Sequence, residues 1–170
     1  WNKLYQHYCV PGFELHGDHH AVSEDYRKLR ERDHNFVAFF RQPEQRIISG
    51  WYDNMHDYRG KDPSPNITQY AQAVSGCIVK MMWGKRCGSP LSISRKTVYE
   101  TMLRLVNHFA FVGLTEHWDL SVCLFHAMFG GDCHRREFLH LRPGGKRGPS
   151  GKYDTSALGG YVDHFDGLFY

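Results

Sequence analysis

Two short runs interrupt an otherwise amphipathic chain, Phe36-Val37-Ala38-Phe39-Phe40 and Phe109–Leu114 (FAFVGL). Continuous apolar, β-prone segments of this length predict strands buried on both faces, as in parallel sheets. The first run is followed at once by Arg41 and then by Pro43. A helix tolerates proline in its first turn, where the missing N–H would have no partner. Ile47, Ile48, Trp51 and Tyr52 then fall on roughly one helical face, with Arg46 and Ser49 as polar interruptions. Tyr70, Val74, Cys77, Ile78, Met81 and Met82 predict a single helix over Ile67–Trp83, the two methionines acting as core filler. Val98, Met102, Leu105 and Val106 give the apolar stripe of another over Ser94–His108. A third, His117–Phe129, ends at Gly130-Gly131. Ahead of the first strand, Ser23–Arg32 reads as a helix charged on most faces, with Ser23 as N-cap. Strands alternating with helices in this way predict an α/β fold with a parallel sheet.

Between these elements the chain turns polar. Met55–Pro65 contains Gly60, Pro63 and Pro65 and reads as a loop. Its His56, Tyr58, Arg59 and Lys61 suit contact with a sulfated or carboxylated sugar, or simply a solvated connection. Gly84–Pro90 is a second break. Residues 132–152 are Gly-rich and basic, with Arg135, Arg136, Arg142, Lys146, Arg147 and Lys152. That run has no interleaved aromatics and no recognisable nucleic-acid module, so no nucleic-acid partner is expected.

A chain of 170 residues, 41% hydrophobic and 15% aromatic, suffices for one domain or most of one. No run reaches the length of a membrane helix, and no signal peptide is visible. The formal charge of +3 is compatible with an anionic partner without specifying one. Of five cysteines none forms a Cys-x-x-Cys pair. Cys77 and Cys87 flank a short segment and suit a disulfide in an oxidising lumen. The other reading leaves all five reduced, with Cys123 buried on its helix. Asn66-Ile67-Thr68 is a glycosylation tripeptide, which fits the secretory pathway but is common by chance.

Two groups carry candidate chemistry. Arg41 stands at the carboxyl end of a strand, where α/β folds bind ligands, and its fork of donors suits phosphate, with the Ser49 hydroxyl as a further donor. Twelve histidines is a high count, and three of them cluster in His16-Gly17-Asp18-His19-His20. An imidazole near neutral pKa suits a general base, although a histidine-rich surface loop with no role has the same composition. His16 and His20 would share a helical face, but Gly17 and Asp18 favour a loop, and no His-Glu-x-x-His pattern or nearby cysteine pair completes a metal set. No metal site is expected there.

The pattern Arg41-x-Pro43-x-x-Arg46-x-x-Ser49 after a buried strand, with Trp51-Tyr52 just beyond, resembles the 3′-phosphate-binding segment of sulfotransferases that use 3′-phosphoadenosine 5′-phosphosulfate (PAPS). The usual Asp after the first Arg is Gln42 here. The resemblance is best to the Golgi carbohydrate sulfotransferases, above all the glycosaminoglycan 2-O-sulfotransferase branch. FVGLTE followed by WDLSVCLFHAMFG is similar to that family's second recurring segment, in the same order and at the same distance. In it Gly113 and Glu116 are expected to serve backbone geometry and helix-start electrostatics. His140-Leu141-Arg142 resembles a step in the family's basic segment, which folds over the nucleotide. Tyr161–Tyr170 looks like the start of its last helix, which ends near an Asp-x-x-Leu-Tyr step that Asp166 and Tyr170 match approximately, with Leu168 one position early.

The likeness spans roughly Gly12 to Tyr170 and implies one partial sulfotransferase domain over residues 1–170. Its fold would be a P-loop-NTPase-like parallel sheet flanked by helices, with the first strand–loop–helix unit missing. It implies transfer of a sulfuryl group from PAPS to a hydroxyl of an anionic carbohydrate, with no metal required. His20 falls at the family's spacing for the catalytic base, with His16 second and His19 third. Arg41 and Ser49 would hold the 3′-phosphate, and Arg142 would contact phosphate. The family's phosphosulfate-cradling loop has no counterpart before residue 16, so the chain reads as a fragment. If complete, it would lack half the donor site and be inactive. The resemblance further implies a Golgi-lumenal type II membrane protein, in preference to a cytoplasmic one, anchored outside this chain. A non-catalytic domain that binds anionic glycans is the alternative, and a His/Cys metal-binding protein a third.

Overall fold

The computed structural model describes residues 36–53, 65–139 and 152–170. Their elements run β1 (Phe36–Phe40), α1 (Pro43–Tyr52), α2 (Ile67–Ala73), α3 (Cys77–Met82), α4 (Arg95–His108), β2 (Phe109–Leu114) and α5 (Trp118–Phe129). Single 3-10 turns stand at Thr115–His117, Arg135–Phe138, Thr155–Leu158 and Asp166–Leu168. The class is mixed α/β. The helix expected over Ser23–Arg32 lies outside the described residues.

The two apolar runs pair with each other. β1 and β2 are parallel neighbours, in register from Val37 opposite Phe111 to Phe40 opposite Leu114, with one irregularity after Phe36. Parallel strands need a long crossover, and α1 to α4 supply it. α5 covers one face through aromatic contacts. Phe39 packs on Trp118 with ring centroids 4.8 Å apart, and Phe111 meets Phe125 edge-on at 5.3 Å. Gly113 makes this approach possible, because a Cβ there would lie 2.6 Å from the Phe39 ring. Ser121 then closes the end of β2: its hydroxyl accepts from Leu114 N at 2.9 Å and donates to Leu114 O at 3.1 Å.

A second apolar cluster lies on α1 and α2. Ile47 and Ile48 are fully buried beside Tyr70, Ala71, Val74, Tyr153 and Leu158. Burying each isoleucine contributes about 1.5–3 kcal/mol. Cys77 and Cys87 form a disulfide with Cα atoms 4.4 Å apart, stapling α3 to the segment that follows it. Side chains start the helices. Gln42 accepts from Gln45 N at 2.8 Å, and Asn66 with Gln69 and Ser94 with Thr97 form reciprocal capping boxes.

Four expectations are corrected. The strands are not buried on both faces: Val37 and Val112 are exposed, because among the described residues only α5 packs its aromatic side chains on this two-stranded sheet. Ile67–Trp83 is two helices, not one, broken at Val74–Gly76, where Gly76 takes φ +64°. The apolar spacing runs through this break because a distant carboxylate, not the local pattern, imposes it. Met102 and Val106 are exposed on α4, and the buried positions are Val98 and Thr101. Thr101 stays inside because its hydroxyl accepts from Trp83 Nε1 at 2.9 Å and donates to Thr97 O at 2.7 Å. Tyr161–Tyr170 holds only the single turn Asp166–Leu168, because Asp163 and Asp166 face inward to other partners.

Those partners centre on Arg46. Its Nη2 lies 3.3 Å from Asp163 and 3.4 Å from Asp166, both carboxylates fully buried, and donates to Val74 O at 3.2 Å. Asp163 also accepts from Gly76 N at 2.9 Å and from the Ser75 hydroxyl at 3.2 Å. Asp166 accepts from Ile78 N at 3.0 Å, at the start of α3. Lys80 is buried nearby, donating to Ala73 O at 2.8 Å and Cys87 O at 2.9 Å. Arg46→Met strands two buried carboxylates and is expected to cost about 3–5 kcal/mol in urea denaturation. A loss within about 0.5 kcal/mol, the range of ordinary surface substitutions, would show that the cluster is not a support of the fold.

Burial pushes the Asp166 carboxyl up from 3.8 to about 6, even though Arg46 pulls it down. Between those values the folded chain holds a proton that the unfolded chain releases. The Asp166 contribution to stability therefore falls as pH rises from 3.8 to about 6 and is level above that window. Asp166→Asn is expected to remove this component, so the stability difference between wild type and variant should change across the window and be constant above it. A difference that is flat throughout would refute the assignment.

Candidate functional site at the strand ends

The carboxyl ends of β1 and β2 lie side by side, so the residues just beyond them meet. Arg41 leaves β1, and Glu116 follows β2 within the turn Thr115–His117. Arg41 Nε is 4.0 Å from Glu116 Oε1, and the guanidinium lies over the Tyr153 ring, 5.3 Å from its centroid. The same Glu116 oxygen accepts from Gln42 N at 3.1 Å, and its second oxygen accepts from the Thr115 hydroxyl at 3.1 Å. Burial first, and the Glu116 carboxylate second, hold the Tyr170 phenol above its usual pKa. One carboxylate thus faces main chain and side chains from three places in the sequence: Arg41-Gln42, Thr115 and Tyr170.

Tyr153 is held under Arg41 by a buried side-chain amide. Gln45 accepts from Tyr153 N at 2.7 Å and donates to Tyr153 O at 2.9 Å. The neighbouring Glu44 accepts from Asp163 N at 2.9 Å. Three consecutive residues of α1, Glu44, Gln45 and Arg46, therefore anchor residues more than a hundred positions later.

Arg41 and Ser49 share one strand–turn–helix unit. Ser49 is half-buried on α1, about 9 Å along the axis from Pro43 at 1.5 Å per residue. No direct bond joins the two residues among those described. Arg46, in the middle of the motif, points the other way into its aspartates. The start of α1 is not an open anion cradle, since Pro43 has no N–H and Gln42 already caps Gln45 N. An anion at this point would be held by side chains. His16, His19, His20 and Arg142 lie outside the described residues.

Sequence reading gave Glu116 and Asp166 other roles, helix-start electrostatics and a place in the last helix, and missed Gln45 and Asp163. A signal existed for the two aspartates, which stand three apart and each follow an apolar residue, Val162 and Phe165; Gln45, between Glu44 and Arg46, gave none. It also missed a cluster at the end of α5. His126 Nε2 lies 3.0 Å from Glu137, and with Cys133 these ligand atoms lie within 4.8 Å of one another. They are a possible metal set by chemistry. The hydrogen bond to Glu137 raises the His126 pKa above its usual value. A groove of about 630 Å³, lined by Gln72, Lys80, Ser89 and Leu91 among others, shares no residue with the strand-end cluster.

No helix among the described residues is long and apolar enough to cross a membrane. Compared with protein-family models, with curated proteins and with solved structures, the chain matches none.

Proposed function

We propose that this chain is the 3′-phosphate-binding part of a carbohydrate sulfotransferase with a P-loop-NTPase-like sheet. The observation that carries the reading is Arg41 at the carboxyl end of β1, two residues before the α1 helix that bears Ser49, beside the end of a parallel β2. Ligands bind in that position in open α/β sheets. Arg41 is half-buried, and the low dielectric around it would strengthen its pairing with an anion. The Tyr153 ring orients the guanidinium before any ligand arrives.

In this reading Arg41 and Ser49 hold the 3′-phosphate of PAPS, and Arg142 contacts phosphate. An acceptor hydroxyl of an anionic glycan attacks the sulfur while the bond from sulfur to the phosphate oxygen breaks. His20 takes the hydroxyl proton, with His16 as the other candidate base. The 3′,5′-adenosine bisphosphate leaves with the electron pair of the broken bond. No metal is needed for these steps. The setting would be the Golgi lumen, with any membrane anchor outside this chain.

Calorimetry with 3′,5′-adenosine bisphosphate on the longest natural form of the chain tests this. Binding is expected, and Arg41→Ala should weaken it about 10–100-fold, the range of one or two charge-assisted hydrogen bonds. Ser49→Ala should weaken it less. No binding by the unsubstituted protein would overturn the reading and leave a glycan-binding domain in its place.

Glu116→Gln removes a carboxylate that competes for Arg41 while keeping an oxygen for Gln42 N–H. It is expected to tighten bisphosphate binding several-fold, an effect that shrinks as salt rises. Unchanged affinity would mean that Arg41 does not meet the ligand. His20→Ala should abolish turnover with bisphosphate affinity intact.

A further inference from the structure

We propose that Cys123 and Cys133 close a second disulfide, which staples the turn Arg135–Phe138 to the middle of α5. The two sulfurs are 3.0 Å apart and both residues are exposed. Gly130 and Gly131 make the sharp reversal between them, at φ +88° and +90°, conformations that residues with a Cβ rarely adopt.

Contacts other than the sulfurs already hold the two sides together. Trp118 Nε1 on α5 donates to Glu137 O at 2.7 Å. The Glu137 carboxylate meets His126 Nε2 at 3.0 Å and accepts from His134 N at 2.9 Å. His126 Nδ1 stands 3.4 Å from Gly130 O. Cys133 lies inside this network, so closing the bond asks for little movement of the backbone. The Cys133 S–H donates to Cys123 Sγ, an interaction that pushes its pKa up to about 11 and that the covalent bond replaces. The chain elsewhere carries Cys77–Cys87 as a disulfide, with the same separation of ten residues. An environment that oxidises the buried pair reaches the exposed pair more easily.

The step is thiol–disulfide exchange with a low-molecular-weight disulfide as oxidant. One cysteine thiolate attacks a sulfur of the oxidant, forming a mixed disulfide and releasing one thiolate. The second cysteine, deprotonated, attacks the protein sulfur of that mixed disulfide and displaces the other. The oxidant gains the two electrons and both protons, leaving as two thiols. The bridge fixes the point from which the chain enters the basic segment beyond Leu139.

The test is mass spectrometry of the chain secreted from a eukaryotic host, alkylated without reductant. Tryptic cleavage leaves Cys123 and Cys133 in one peptide, Leu105–Arg135. That peptide is expected unalkylated and two hydrogens lighter than after reduction. Two alkylated cysteines in it would overturn the proposal. So would one zinc ion per chain in native mass spectra, lost in Cys123→Ser, which would make His126, Cys133 and Glu137 ligands with Cys123. This outcome is independent of whether the chain binds nucleotide.

Discussion

The fold depends on a single cation placed between two carboxylates that water does not reach. Asp163 and Asp166 are each fully buried, and Arg46 joins them through one nitrogen. A buried carboxylate without a partner costs several kcal/mol. These two are tolerable because the main-chain N–H groups of Gly76 and Ile78 also donate to them. The cluster thereby decides local structure far away in sequence. It holds Gly76 in its left-handed turn, starts α3 at Cys77, and keeps residues 161–170 from continuing as a regular helix. Lys80 completes a group of two positive and two negative side chains, so the buried charge sums to zero.

What the sequence made legible follows from this division between local and distant causes. β1, β2, α1 and α5 were readable because continuous apolar runs and a 3.6-residue stripe are properties of neighbours. The break between α2 and α3 was not, since Tyr70, Val74, Cys77 and Ile78 keep helical spacing across it. The residue that enforces the break, Asp163, is 87 positions beyond Gly76. Likewise Met102 and Val106 fit a stripe by number, but burial on α4 went to Thr101, whose hydroxyl found two partners.

The candidate site was legible in part for the same reason. The position of Arg41 could be read because strand ends in α/β folds have a known use. Its setting could not: Glu116 and Tyr153 reach it from 75 and 112 residues away. Arg46 shows the limit of motif reading. It sits within the pattern that suggested anion binding, yet its guanidinium serves the interior. Gln45 is the least visible of all, an ordinary polar residue whose amide satisfies both main-chain groups of Tyr153 as a neighbouring strand would.

Just beyond the last paired residues of the two strands, Phe40 and Leu114, Glu116 ties the two chain exits together. One side chain reaches from the end of β2 to the main chain of Gln42 and to the Arg41 guanidinium. Ser121 holds Leu114 against α5. The two exits are therefore joined by one side chain, as a tie joins two posts that already stand at a fixed distance. Aspartate at position 116 would carry the same charge and be one methylene too short to span it.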